Sequence, residues 1–101
     1  MPHFGLSERS TQAILDVFAK FPDVEQAIIY GSRAKGNYRE GSDIDLTLKG
    51  ENLTPEKLYR IQDALDEAPT PYLFDVSIYK NLSNPNLIDQ INKIGKVFYQ
   101  K

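Results

Sequence analysis

From residue 42 to residue 49 the sequence reads SDIDLTLK, and from Asp43 onward polar and apolar residues alternate strictly. A period of two puts Ile44, Leu46 and Leu48 on one face of a β-strand and Asp43, Asp45 and Thr47 on the other. The apolar face has to be buried under another layer of structure. The other face carries two carboxylates about 7 Å apart on the same side. Without a cation they repel each other, and that separation lets them bridge one or two hard cations.

The rest of the chain supplies the layers. Residues 7–21 carry Ile14, Leu15, Phe18 and Phe21 at helical spacing, closed by Pro22-Asp23. VEQAIIY, residues 24–30, reads as a short strand buried on both faces and ending at Gly31, with a short helix after it. Thr54-Pro55 is an N-cap followed by proline, and Leu58, Ile61 and Leu65 continue a helix as far as Pro69. PYLFDVSIYK, residues 71–80, alternates again: Tyr72, Phe74, Val76 and Ile78 face one way, Leu73, Asp75, Ser77 and Tyr79 the other. The apolar neighbours of Asp75 predict that it is buried. Asn84-Pro85 repeats the cap-then-proline signal before Leu87, Ile88, Ile91 and Ile94, and Gly95 reads as the C′ residue ahead of a short KVFY tail. The fold class expected is α/β: one domain over residues 1–101, a small mixed β-sheet covered by helices.

Composition narrows the function. With 41% hydrophobic and 26% charged residues the chain is globular rather than disordered. It has no cysteine, and its one histidine, His3, lies in what should be a frayed terminus, so any metal site must use oxygen ligands. The net charge of -2 and a pI near 5.3 argue against long DNA or RNA as a partner. No apolar run approaches the roughly 18 residues of a membrane span, and MPHFGLSERS lacks the regions of a signal peptide, so a cytoplasmic location with no membrane partner is expected.

Three features combine into a candidate site. Gly31-Ser32 follows a buried strand, where backbone N–H groups and a hydroxyl can receive phosphate oxygens. Asp43 and Asp45 follow on the next strand, and Asp75 lies on a later one. If the two acidic strands are neighbours, three carboxylates converge. Phosphates and divalent ions meeting there suit phosphoryl or nucleotidyl transfer. Taken singly, each feature has an ordinary reading: Gly-Ser as a turn, Ser42-Asp43 as a turn or cap, Asp75 as a paired strand residue, and Arg33, Lys35 and Arg39 as solvated loop charges. The joint pattern is far more specific.

That pattern, GSRAKGNYREGSDIDL followed by the Asp75 of LFDVSIY, resembles the signature of the polymerase-beta-type nucleotidyltransferase superfamily: Gly-Ser, about ten residues, Asp-x-Asp, then a third acid. The brevity of the chain makes it similar to the minimal nucleotidyltransferases, and the resemblance runs from the first helix to the tail. It implies the fold of that superfamily and an enzyme using two Mg²⁺ ions. Asp43 and Asp45 would bind both metals. Asp75 would complete the catalytic metal site and help deprotonate the acceptor hydroxyl. Gly31 and Ser32 would hold the triphosphate of ATP or another nucleoside triphosphate, with Arg33 and Ser42 as further nucleotide contacts.

Larger members of the superfamily add a helical acceptor-binding domain, so the resemblance implies that the acceptor comes from another chain or another copy, which leaves a homo-oligomer open. Minimal members are typically encoded with a small helical partner, a HEPN-type toxin or a related substrate-binding protein. In toxin pairs they act as antitoxins by transferring AMP to a tyrosine of the toxin. The function implied is Mg²⁺-dependent transfer of a nucleoside monophosphate, AMP from ATP, to a hydroxyl on such a partner. Two alternatives stand beside it: a non-catalytic module that masks the partner, and a transferase acting on a small molecule such as an aminoglycoside in a pocket supplied by the partner.

Overall fold

A computed structural model describes residues 4–39 and 41–101; His3 lies outside the described residues. The elements in order are α1 (Glu8–Ala19), β1 (Gln26–Tyr30), the single turn α2 (Ser32–Lys35), β2 (Ile44–Lys49), α3 (Pro55–Glu67), β3 (Phe74–Ile78), a 3₁₀ turn (Tyr79–Asn81), α4 (Pro85–Ile94) and β4 (Lys96–Gln100). Among the described residues no helix is long and apolar enough to cross a membrane.

The helices begin where short polar side chains satisfy the free N–H groups of a first turn. Ser7 Oγ accepts from the Ser10 amide at 3.1 Å, and Thr54 Oγ1 accepts from the Lys57 amide at 3.3 Å with Pro55 leading the helix. Asn84 Oδ1 accepts from the amides of Asn86 and Leu87 at 2.9 and 3.3 Å.

The sheet runs in the order β3-β2-β1-β4. β1 pairs antiparallel with β2, Tyr30 opposite Asp45, and β2 pairs parallel with β3, Asp45 opposite Asp75. The short link between β1 and β2 allows a reversal, whereas β2 and β3 are joined through α3, which a parallel pairing requires. The sheet is therefore mixed.

One face is the main core. Ala27, Ile29, Ile44, Leu46, Leu48, Phe74, Val76 and Ile78 pack there with Ile14, Val17 and Phe18 of α1 and Ile61 and Leu65 of α3. On the other face Ile28 and Tyr30 pack with Ile91 of α4, beside the partly buried Tyr79, Leu82 and Leu87. This second cover lies over β1, and the part of that face belonging to β2 and β3 carries the polar residues.

Three expectations need correction. KVFY is not a loose tail: Lys96–Gln100 forms β4, antiparallel to β1 with a bulge between Ala27 and Ile28. Phe98 anchors it, buried in the main core, while Val97 stays exposed on the edge. The pairing joins segments about 70 residues apart, which local periodicity does not show.

Gly95 is not a left-handed C′ residue, since it adopts φ -62° and ψ 146°. It is glycine because an added Cβ would meet the Ile91 carbonyl oxygen and would lie 2.7 Å from Ile28 Cγ2, where the end of α4 presses on β1. Gly95→Ala is therefore expected to cost roughly 1–3 kcal/mol. In a domain of this size thermal denaturation should register that as a fall of several degrees in Tm, at about 4–8 °C per kcal/mol.

Asp75, expected to be buried, is exposed. β3 is an edge strand, and the cluster under α4 gathers around Ile28 and Tyr30 of β1, so the carboxylate remains hydrated despite its apolar neighbours in sequence.

Candidate active site

The register of the sheet builds the site. Tyr30 stands opposite Asp45, and Asp45 opposite Asp75, so three side chains from three strands lie in one row on the face away from the main core. The next row is Ile28, Thr47 and Ser77. Ser77 Oγ donates to Thr47 Oγ1 at 3.0 Å, tying β2 to β3 immediately beside the acids. Sequence reasoning did not single out Tyr30, Thr47 or Ser77; for the latter two, the signal was their place on the acidic side of each alternation.

Asp43 sits one residue ahead of β2 and is exposed. The pairing reaches the first residue of β2, because the Ile44 amide donates to the Leu73 carbonyl, just ahead of β3, at 2.9 Å. The carboxyl of Asp45 is held above its ordinary value of 3.8, first by burial, then by the charge of Asp75, then by that of Asp43. Asp45 thus feels both of the other acids. Burial, followed by the charges of Asp75 and Asp45, also raises the Tyr30 phenol above its usual range, with the nearby Ser77 hydroxyl opposing this.

Gly31 brings the phosphate-loop candidate to the acids. It links β1 to α2 with φ 75° and ψ -154°, a conformation that side chains other than glycine's rarely adopt. An added Cβ would lie 2.5 Å from Asp45 Oδ2 and 3.4 Å from Asp45 Cγ. The Asp45 carboxylate therefore leans directly on the Gly31 backbone. Ser32 is the first residue of α2, half-buried, with its carbonyl accepting from the Gly36 amide at 3.0 Å.

The remaining two candidates are tied into the loop. Ser42 Oγ accepts from the Arg39 amide at 2.9 Å, and the Ser42 amide donates to the Arg39 carbonyl at 3.0 Å. Arg33 is buried, 3% exposed. Its Nε and Nη2 donate to the Ser42 carbonyl at 3.1 and 2.8 Å, and Nη1 donates to the Phe4 carbonyl at 3.0 Å. Its guanidinium carbon lies 4.8 Å from the Tyr72 ring centre and 5.0 Å from that of Tyr38.

Among the described residues, no three carboxylate or imidazole side chains are gathered into a metal-sized group. Asp45 feels the charges of Asp75 and Asp43, but the three acids do not form a finished cage. The donor set nevertheless fits a hard cation: all ligands are oxygen, they repel one another, and the exposed Asp43 and Asp75 can change rotamer to close on an ion. A surface cavity of about 550 Å³ lined by Pro22, Asp23, Glu25, Asn52, Gln100 and Lys101 contains none of these acids. It lies at the Gln26 and Lys49 end of the sheet, away from the Tyr30 and Asp45 end.

Known structures share this arrangement of elements. One chain of the crystal structure of a toxin-antitoxin pair with AMP-PNP aligns with a TM-score of 0.69 at 20% identity, over 90% of this chain and 73% of that one. A chain from the structure of a tri-AMPylated Shewanella oneidensis HEPN toxin in complex with an MNT antitoxin aligns with a TM-score of 0.67 at 16% identity, over 91% of this chain and 71% of that one. A chain of the MntA-HepT toxin-antitoxin structure gives 0.69 at 15% identity, over 94% and 74%. At these identities the likeness establishes the fold. No match was found among curated protein sequences. The family profile described as polymerase beta, nucleotidyltransferase, matches residues 12–101, a span that takes in Gly31, Ser32 and all three acids, and the chain belongs to that nucleotidyltransferase family.

Proposed function

We propose that this protein transfers AMP from ATP to a hydroxyl group on a helical HEPN-type partner, as the antitoxin of a toxin-antitoxin pair. The observation that carries the reading is the placement of Asp45 and Asp75 side by side on an open sheet face, with Asp43 at its entrance and Gly31 against Asp45. Support for the partner and the nucleotide comes from the structural neighbours, which include toxin-antitoxin complexes, one with AMP-PNP and one with an AMPylated HEPN toxin.

Nucleotidyltransferases of this superfamily generally use divalent metal. Two Mg²⁺ ions, held by Asp43 and Asp45 with Asp75 completing one site, would supply positive charge for the transferring phosphoryl group and the leaving pyrophosphate. Gly31 and Ser32 orient the triphosphate. The acceptor oxygen attacks the α-phosphorus, the bond to the α,β-bridging oxygen breaks, and pyrophosphate departs. Asp75, exposed on the edge strand where an acceptor can approach, takes the hydroxyl proton.

The test is the intact mass of the partner after incubation with this protein, ATP and Mg²⁺. The expected result is a gain of one or more AMP units, absent with Asp43→Asn. An unmodified partner whose toxicity is still neutralised would make the protein a masking module. Labelling of a small acceptor in place of the partner would reassign the substrate.

A further inference from the structure

Arg33 is the buried charged residue of the site region, and among the described residues no carboxylate pairs with it. Its charge is met instead by two backbone carbonyls and two aromatic faces. Buried guanidinium groups are costly unless their donors are used, so a position of this kind is held for what it ties together.

The tie spans the whole loop. Arg33 belongs to α2, directly after Gly31 and Ser32. Two of its nitrogens converge on the carbonyl of Ser42, the residue before Asp43. Its third contact, to Phe4, fastens the segment before α1 to the same point. The stem between α2 and β2 is thus closed by one side chain, and its guanidinium lies against the rings of Tyr38 and Tyr72.

We propose that Arg33 is a positioning residue of the nucleotidyl-transfer site: it fixes the Ser42 carbonyl and thereby sets where Asp43 stands relative to Asp45 and to the Gly31-Ser32 turn. This rests on the function proposed above, and it gives Arg33 an indirect role in place of a nucleotide contact. A lysine keeps the charge but offers a single nitrogen, which does not reproduce the two-pronged grip on Ser42 together with the Phe4 contact.

Mn²⁺ titration followed by the signal of free Mn²⁺, on the full chain without acceptor, provides a readout independent of turnover. Arg33→Lys is expected to remain folded and to weaken Mn²⁺ binding by about 10- to 100-fold, the range typical of lost support to metal ligands. Binding of a fluorescent ATP analogue in EDTA should stay within about twofold of wild type, because the guanidinium does not touch the phosphates. Tyr38→Ala, at a position 37% exposed, keeps Arg33 but removes one of its two rings, and should weaken Mn²⁺ binding in the same direction by a smaller factor.

Unchanged Mn²⁺ affinity in folded Arg33→Lys overturns the inference, as does a loss seen mainly in metal-free nucleotide binding, which would make Arg33 a phosphate ligand. If Arg33→Lys does not fold, unchanged affinity in Tyr38→Ala overturns it. Wild-type protein that takes up no Mn²⁺ at all would instead remove the proposed function, and this role with it.

Discussion

Asp45→Asn is expected to lower nucleotidyl transfer by on the order of 100-fold or more while making the metal-free protein more stable at neutral pH. Both effects have one source. Asp45 is the central acid of the row, flanked by Asp75 across the strand and Asp43 along the chain, and half-buried between them. Its raised carboxyl means that the folded protein prefers it protonated. At low pH it is protonated both folded and unfolded, and it imposes no penalty. As pH rises from the ordinary carboxylate value to the raised folded value, the unfolded chain releases this proton first and the fold loses stability, and the penalty is complete above the folded value.

Asparagine removes this penalty, so the gain in Tm over wild type should be largest near neutral pH and vanish below the ordinary carboxylate range. Divalent cation should raise the Tm of wild type and leave that of the variant nearly unchanged. Thermal denaturation at several pH values, with EDTA and with Mg²⁺, measures this directly. A variant that retains transfer within a few-fold of wild type would remove Asp45 from the site.

Gly31→Ala should be the most damaging single-methyl addition in the site. The backbone at Gly31 has φ 75° and ψ -154°, which alone costs an alanine roughly 1–3 kcal/mol. The new methyl would also be driven onto Asp45 Oδ2, 2.5 Å away. Either the turn or the carboxylate must move. A displacement near 1 Å at a reacting centre costs on the order of 100-fold in rate, so transfer should fall by at least that much even in the folded fraction. Gly36→Ala provides a control with milder strain and no contact, since Gly36 is in the ordinary left-handed region. Gly36 also has a positive φ, 86°, but an added Cβ there would meet nothing within 4 Å. It should lose stability and keep most of its transfer activity per folded molecule; equal losses of activity in both variants would mean that the Gly31 turn has no special place in the site.

Local chemistry made much of this molecule legible. The caps at Thr54 and Asn84, each followed by proline, marked the starts of α3 and α4, because capping satisfies N–H groups within three residues. The alternation through Asp43, Ile44 and Asp45 assigned faces in β2, since side chains on a strand alternate whatever lies next to it. The acids and the Gly-Ser turn were visible for the same reason: their pattern lies within short windows of the chain.

What the tertiary structure alone decided depends on residues far apart in sequence. The pairing of β1 with β4 turned a tail into a strand, and the approach of α4 to β1 explains Gly95. The edge position of β3 left Asp75 hydrated where its neighbours in sequence suggested burial. Arg33 reads in sequence as a solvated or phosphate-binding loop charge; its burial follows from Tyr38, Tyr72, Phe4 and Ser42 closing around it. Residue type and spacing determined which groups were available and which face each strand would show. Strand order and register, set by which apolar faces bury best together, decided that Asp45 stands beside Asp75, and that is a property of the folded chain alone.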